Sequence, residues 1–108
     1  MNSNKTLNLL TICAKAGRLT GGFEKSMTAV KDGKSGCILL ASDVSEKTAK
    51  EARFVCQKYG DIPVFVGDFT ASQAYIVLKK EYAVFSVNDK GFAAKFAEYA
   101  KNENATKQ

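Results

Sequence analysis

RLTGGFEKSMTAVKDGKSGCILLASD, residues 18 to 43, holds two adjacent glycines, a short periodic segment, two further glycines and a compact apolar run ending in Ser-Asp. Phe23, Met27 and Val30 recur at i, i+4 and i+7, which predicts a helix that begins after the turn at Gly21-Gly22 and stops at Gly33. Gly36 to Ser42 is apolar without alternation, as expected of a strand in a sheet covered by helices on both faces. A helix followed at once by such a strand is the repeating unit of an α/β fold.

The same alternation continues on both sides. Asn4 to Ala16 reads as a helix with Leu7, Leu10 and Ala14 on one stripe, widened by Leu9 and Cys13, and Gly17 suits its C-terminal end. Arg18-Leu19-Thr20 is a very short strand candidate. Asp43-Val44-Ser45-Glu46 has capping-box spacing and opens a helix whose buried stripe is Ala52, Val55, Cys56 and Tyr59.

Gly60-Asp61 ends that helix, and Ile62 to Val66 is the next strand, with Pro63 at its start where a missing N–H is tolerated. Thr70 to Lys80 reads as helical, Tyr82 to Asn88 as a last strand, and Asp89 caps a final helix carrying Phe92, Phe96 and Tyr99. Parallel or mixed pairing with crossover helices follows, and the fold that buries these stripes is a three-layer α/β/α sandwich around a small mixed four-stranded sheet.

The chain has 108 residues, 45% of them hydrophobic, which suits a single domain with one modest core over about residues 5 to 101. With one proline and no linker-like tract, nothing marks an internal boundary. Fraying is expected only at Met1 to Asn4 and Asn102 to Gln108. The longest apolar runs, Cys37 to Ala41 and Ile62 to Val66, are far short of a membrane span, so no membrane partner is expected and a cytoplasmic location is.

Cys13, Cys37 and Cys56 are widely spaced and odd in number, and the chain has no histidine. Neither a disulfide scaffold nor a structural zinc site is expected, and no cofactor; the thiols read as small buried apolar groups. Gly33-Lys34-Ser35 is not a phosphate loop, because Thr28 stands where that motif needs glycine and the triplet precedes a strand. No paired acid and base or activated nucleophile is visible, so no catalytic residue is assigned.

Binding is what remains. Sixteen basic residues against eleven acidic ones leave a net charge of +5. Residues 1 to 38 hold six cations (Lys5, Lys15, Arg18, Lys25, Lys31 and Lys34) and two anions (Glu24 and Asp32), so four of the five excess charges lie there. Gly21 and Gly22 permit close backbone approach, and the first turn of the helix after them offers free N–H groups suited to phosphate. Lys25, Lys31 and Lys34 add charge, and Glu24 can accept from a base amino group. The plainer alternative is a turn, a favourable helix-start carboxylate and solvated lysines. Asp68 to Thr70 follows a strand and belongs at the same sheet end as Asp43 if those strands are parallel. Phe69 is there either a stacking side chain for an unpaired base or a core-facing anchor.

GRLTGGFEKSMTAVKDGKSGCILLASDVSEKTAKEARFVCQKYGDIPVF (residues 17 to 65) and NDKGFAAKF (88 to 96) resemble the kink-turn-binding ribosomal protein family of the large-subunit seven-Ae and thirty-e type, in particular its small bacterial YlxQ-like members. The resemblance runs from about Leu9 to Phe96. It implies a three-layer sandwich that binds structured RNA without catalysis, with ribosomal RNA and possible ribosomal-protein neighbours as partners and no expectation of DNA. The family's glycine at the start of the second helix falls on Gly22, its Asn-Glu pair on Glu24 and Lys25, its helical lysine on Thr28 and its closing glycine on Gly33. The acidic residue after the second strand falls on Asp43. The loop after the third strand falls on Gly67, Asp68 and Phe69, through Thr70 to Gln73-Ala74. Three recognition positions therefore carry different residues here, which leaves a second reading: a protein-interaction module that kept the fold and lost the kink-turn.

Overall fold

The computed structural model describes residues 2 to 107, with side chains described from 5 to 100. The ends expected to fray, 1 to 4 and 102 to 108, lie outside the fully described residues. In chain order the elements are α1 (Asn2–Lys15), β1 (Leu19–Gly21), α2 (Phe23–Lys31), β2 (Cys37–Leu40), α3 (Glu46–Lys58), β3 (Val64–Val66), α4 (Tyr75–Leu78), β4 (Val84–Val87) and α5 (Lys90–Lys107). The strands form one sheet in the order β1-β4-β2-β3. β2 and β3 are parallel, while β4 runs antiparallel to both β1 and β2.

The direction of β4 follows from the path of the chain around α4. α4 is one turn long, and the segment around it is tied to the end where β3 stopped by the Ser42 N–H bond to Phe69 and the Ala71 N–H bond to Asp43, so β4 starts there. The expected helix over Thr70 to Lys80 is thus mostly turn. Lys79, at φ 63°, closes the short helix in the left-handed region.

All four residues of β2 and of β4 are buried, which is why neither strand alternates in hydrophobicity. Cys37, Leu39, Phe85 and Val87 face one layer, with Leu10 and Cys13 of α1 and Phe96 of α5. Ile38, Leu40 and Val84 face the other, with Met27 and Val30 of α2 and Ala52 and Cys56 of α3. This is the three-layer sandwich. Ser86 is buried among these residues and is satisfied by Ser35 at 2.8 Å and Asn88 at 2.6 Å.

Several local expectations shift. The cap of α3 is Ser45, whose Oγ accepts from the Thr48 N–H at 3.2 Å, rather than Asp43. β3 begins after Pro63, because the Ile62 N–H is already given to the Cys56 carbonyl. Tyr59 leaves the buried stripe of α3, being its C-cap and 43% exposed. Asp89 does cap α5, with Oδ2 2.9 Å from the Phe92 N–H.

Candidate functional site

β1, β2 and β3 all point the same way, so the turns that follow them gather at one end of the sheet, beside the start of β4. Backbone bonds tie this end together. The Gly22 N–H donates to the Val84 carbonyl at 2.9 Å, the Ala41 N–H to Ala83 at 2.8 Å, the Gly67 N–H to Leu40 at 2.7 Å and the Ser42 N–H to Phe69 at 2.7 Å. Asp43 closes the band: its Oδ1 accepts from the Ala71 N–H at 3.0 Å. The carboxylate after β2 therefore orders the loop after β3.

α2 opens at this end with no side-chain cap, and Gly22 holds φ 100° and ψ 148°. The Ser26 N–H reaches back to the Gly22 carbonyl at 3.0 Å. That leaves the Phe23, Glu24 and Lys25 amides in the first turn outside the helical ladder, as at any helix start. Glu24, Lys25 and Thr28 are exposed along the next two turns. With Thr20, Ala29, Asp32, Lys34 and Asn88 they line an open cavity of about 450 Å³ beside the β1 edge.

The cavity runs along α2, with Glu24 and Lys25 in its first turn, Thr28 midway and Lys34 just beyond its last turn. Lys31 does not join them: its ammonium lies 5.8 Å from the centre of the Tyr59 ring, toward α3.

The glycine pair is less open than the sequence suggests. Gly21 is buried, and a Cβ there would overlap the Tyr82 ring and a Leu78 methyl. Its close approach is made to Tyr82, leaving no room for a ligand. Gly67 is buried in the same way beneath the ring of Phe69. Phe69 itself is 1% exposed and meets Phe85 edge-on at 6.2 Å, so of its two readings the core anchor is the one the fold adopts. Asp68 is exposed and Thr70 half-buried.

A reciprocal cap orders this loop. The Thr70 N–H donates to Gln73 Oε1 at 2.9 Å and the Gln73 N–H to Thr70 Oγ1 at 3.1 Å, and the Thr-Ala-Ser-Gln spacing of residues 70 to 73 was its signal. The cover that Tyr82 gives the glycines had no sequence signal.

Among the described residues no group of three or more His, Cys, Asp or Glu side chains is placed to hold a metal ion. The thiols are buried and free. Desolvation pushes Cys37 from the ordinary 9.0 up to about 12, helped by Cys13 and Cys56, and pushes Cys13 and Cys56 up to about 11. Neutral thiols are poor nucleophiles. Alkylation by iodoacetamide at neutral pH is therefore expected to modify none of the three in the folded chain and all three in denaturant, counted by intact mass. Because the folded values lie above the unfolded one, the stability these thiols contribute is complete below pH 9.0 and is lost as the pH climbs through about 11 to about 12.

The model of the ribosomal protein L7Ae/L30e/S12e/Gadd45 family matches residues 4–92. The chain belongs to this family. A relative of this L7Ae-family chain is the RNA-binding protein YlxQ of Enterococcus faecium, 30% identical over 97 residues, which are 90% of this chain and 92% of that protein. A solved structure described as a protein with unknown function from Bacillus halodurans C superposes with a TM-score of 0.79 and 33% identity, over 88% of this chain and 95% of that one. The Giardia lamblia 15.5kD RNA binding protein superposes with a TM-score of 0.74 over 93% and 88% of the two chains. At 18% identity it supports the L7Ae fold alone. No helix among the described residues is long and apolar enough to cross a membrane.

Proposed function

We propose that this L7Ae-family chain is a non-catalytic RNA-binding protein of the translation apparatus. It holds a structured, kink-turn-like RNA, ribosomal in origin, against the end of the sheet where α2 begins. The observation that carries the reading is the band of hydrogen bonds from Gly22 through Val84, Ala41 and Ser42 to Phe69 and Asp43. It fixes the free amides of α2 and the loop after β3 on one rigid rim.

Phosphate oxygens meet the amides of Phe23 to Lys25 and the ammonium groups of Lys25 and Lys34. Glu24 and Asp68 are acceptors for base amino groups. Reduced, unpaired thiols support a cytoplasmic location.

A second reading, a protein-interaction module, is favoured by one feature: Tyr75 is 48% exposed and Ile76 61% exposed on the short helix beside the rim. A titration of a kink-turn RNA over a range of salt decides between them. The expected result is binding whose logarithm falls linearly with the logarithm of salt. Lys25→Glu and Lys34→Glu each weaken it and flatten the slope by about one unit. Absence of affinity at low salt, or indifference to both substitutions, would leave the protein-interaction reading in place.

A further inference from the structure

We infer that the outer face of α3 is a second RNA surface, a platform on which unpaired nucleotides stack on Phe54 and Tyr59 while Lys31 and Lys58 hold their phosphates. α3 buries Ala52 and Cys56. Phe54, two residues from each, lies about 200° around the helix from both. It is accordingly 64% exposed, and the core gains nothing from it.

Its neighbours are cations. Lys50 and Lys58 stand four residues before and after it, on the same stripe of the helix. The Lys58 ammonium lies 6.0 Å from the centre of the Phe54 ring and 5.7 Å from that of Tyr59. The Lys31 ammonium of α2 also lies 5.8 Å from the centre of the Tyr59 ring. Two exposed rings and two ammonium groups are thus linked by successive ring–cation contacts, Phe54 to Lys58, Lys58 to Tyr59 and Tyr59 to Lys31. Neither lysine is engaged by a carboxylate among the described residues. α3 as a whole carries four basic residues against two acidic ones.

An arrangement of this kind matches the chemistry of a single strand. Each base presents a π-face to a ring, and each phosphate needs a cation at the spacing between rings. An acidic peptide would use the lysines and leave the rings without purpose. An apolar partner would use the rings and leave the cations buried and unpaired.

α2 connects this platform to the rim, since Lys25 in its first turn and Lys31 in its last are about 9 Å apart along the axis. A single-stranded extension of an RNA held at the rim can therefore reach Tyr59 and Phe54. The inference rests on the reading of the chain as an RNA-binding protein, and the experiment separates the two.

The full chain is titrated with three probes: an unstructured oligoadenylate about ten nucleotides long, a kink-turn RNA, and the same RNA with that oligoadenylate as a tail. Phe54→Ala, which alters only an exposed side chain, is expected to weaken oligoadenylate binding by roughly ten-fold and to remove the extra affinity given by the tail. It should leave the bare kink-turn RNA unaffected. Phe54→Trp should retain affinity, and the indole, alone in a chain without tryptophan, should be quenched as bases stack. Lys25→Glu should do the reverse, weakening the bare kink-turn RNA and sparing the oligoadenylate.

The platform is overturned if oligoadenylate affinity is the same with Phe54→Ala, or if the tryptophan is not quenched. It is also overturned if Phe54→Leu binds as well as the native chain, which would mark a plain apolar contact of the kind a protein partner makes. Loss of kink-turn binding alone, with the oligoadenylate still bound, would overturn the rim and leave the platform standing.

Discussion

Phe69→Ala is expected to destabilise the chain by about 3–5 kcal/mol, the usual cost of truncating a buried phenylalanine. The ring is 1% exposed, packs edge-on against Phe85 at 6.2 Å and roofs Gly67. Its own carbonyl takes the Ser42 N–H at 2.7 Å, so the residue joins the turn after β2 to the loop after β3. Alanine would leave a cavity at the place where the rim is fastened to the core. Urea unfolding should show a lower midpoint at an unchanged slope. Below the transition, the affinity for a kink-turn RNA should fall as well, because the loop ordered by Asp43 loses its anchor. Phe69→Leu, which keeps most of the volume, should cost less than about 1.5 kcal/mol. A midpoint for Phe69→Ala close to that of the native chain would show that the ring does not hold the loop.

The direction of the Phe69 side chain is not legible in the sequence. An aromatic residue in a polar turn between Asp68 and Thr70 has no local periodicity to place it, and its direction is set by core partners distant in sequence, the Phe85 ring among them. The stretch from residue 18 to 43 is legible for the opposite reason. Phe23, Met27 and Val30 define a helix face within one element, and the unalternating β2 already implies cover on both sides.

The gathering of Gly22, Asp43 and Gly67 at one end was likewise readable, because it needs only that β1, β2 and β3 share a direction. The reversal of β4 was not, since it depends on α4 being one turn long and on the segment around it being tied to the end where β3 stopped. Helical spacing places Tyr59 on the stripe of Ala52 and Cys56, whereas the helix ends there and its ring turns outward, near the Lys31 and Lys58 ammonium groups. The basic surplus of residues 1 to 38 is divided in the same way: Lys25 and Lys34 line the cavity and Lys31 faces α3.

Gly21 and Gly22 are adjacent, yet alanine should fail at each for a different cause, and Tyr82 tells the causes apart. At Gly21 the backbone is ordinary extended strand, and what forbids a Cβ is the Tyr82 ring together with a Leu78 methyl. Gly21→Ala is therefore an overpacking change, expected to cost about 1–3 kcal/mol. At Gly22 the Tyr82 ring would sit a tight 3.3 Å from the new Cβ, but the backbone itself, at φ 100° and ψ 148°, lies where side chains are strained. The chain cannot relax out of that conformation without giving up the Gly22 N–H bond to Val84 or the Ser26 N–H bond to Gly22. Gly22→Ala should thus cost about 1–3 kcal/mol from the backbone whatever occupies position 82. In double-mutant cycles of urea stability, Tyr82→Ala should recover about 1–2 kcal/mol of the Gly21→Ala penalty and well under half as much of the Gly22→Ala penalty. Equal rescue at both positions would mean that space under Tyr82, rather than the path of the chain, makes the entry to α2 depend on glycine. The first-turn amides would then owe their direction to that ring.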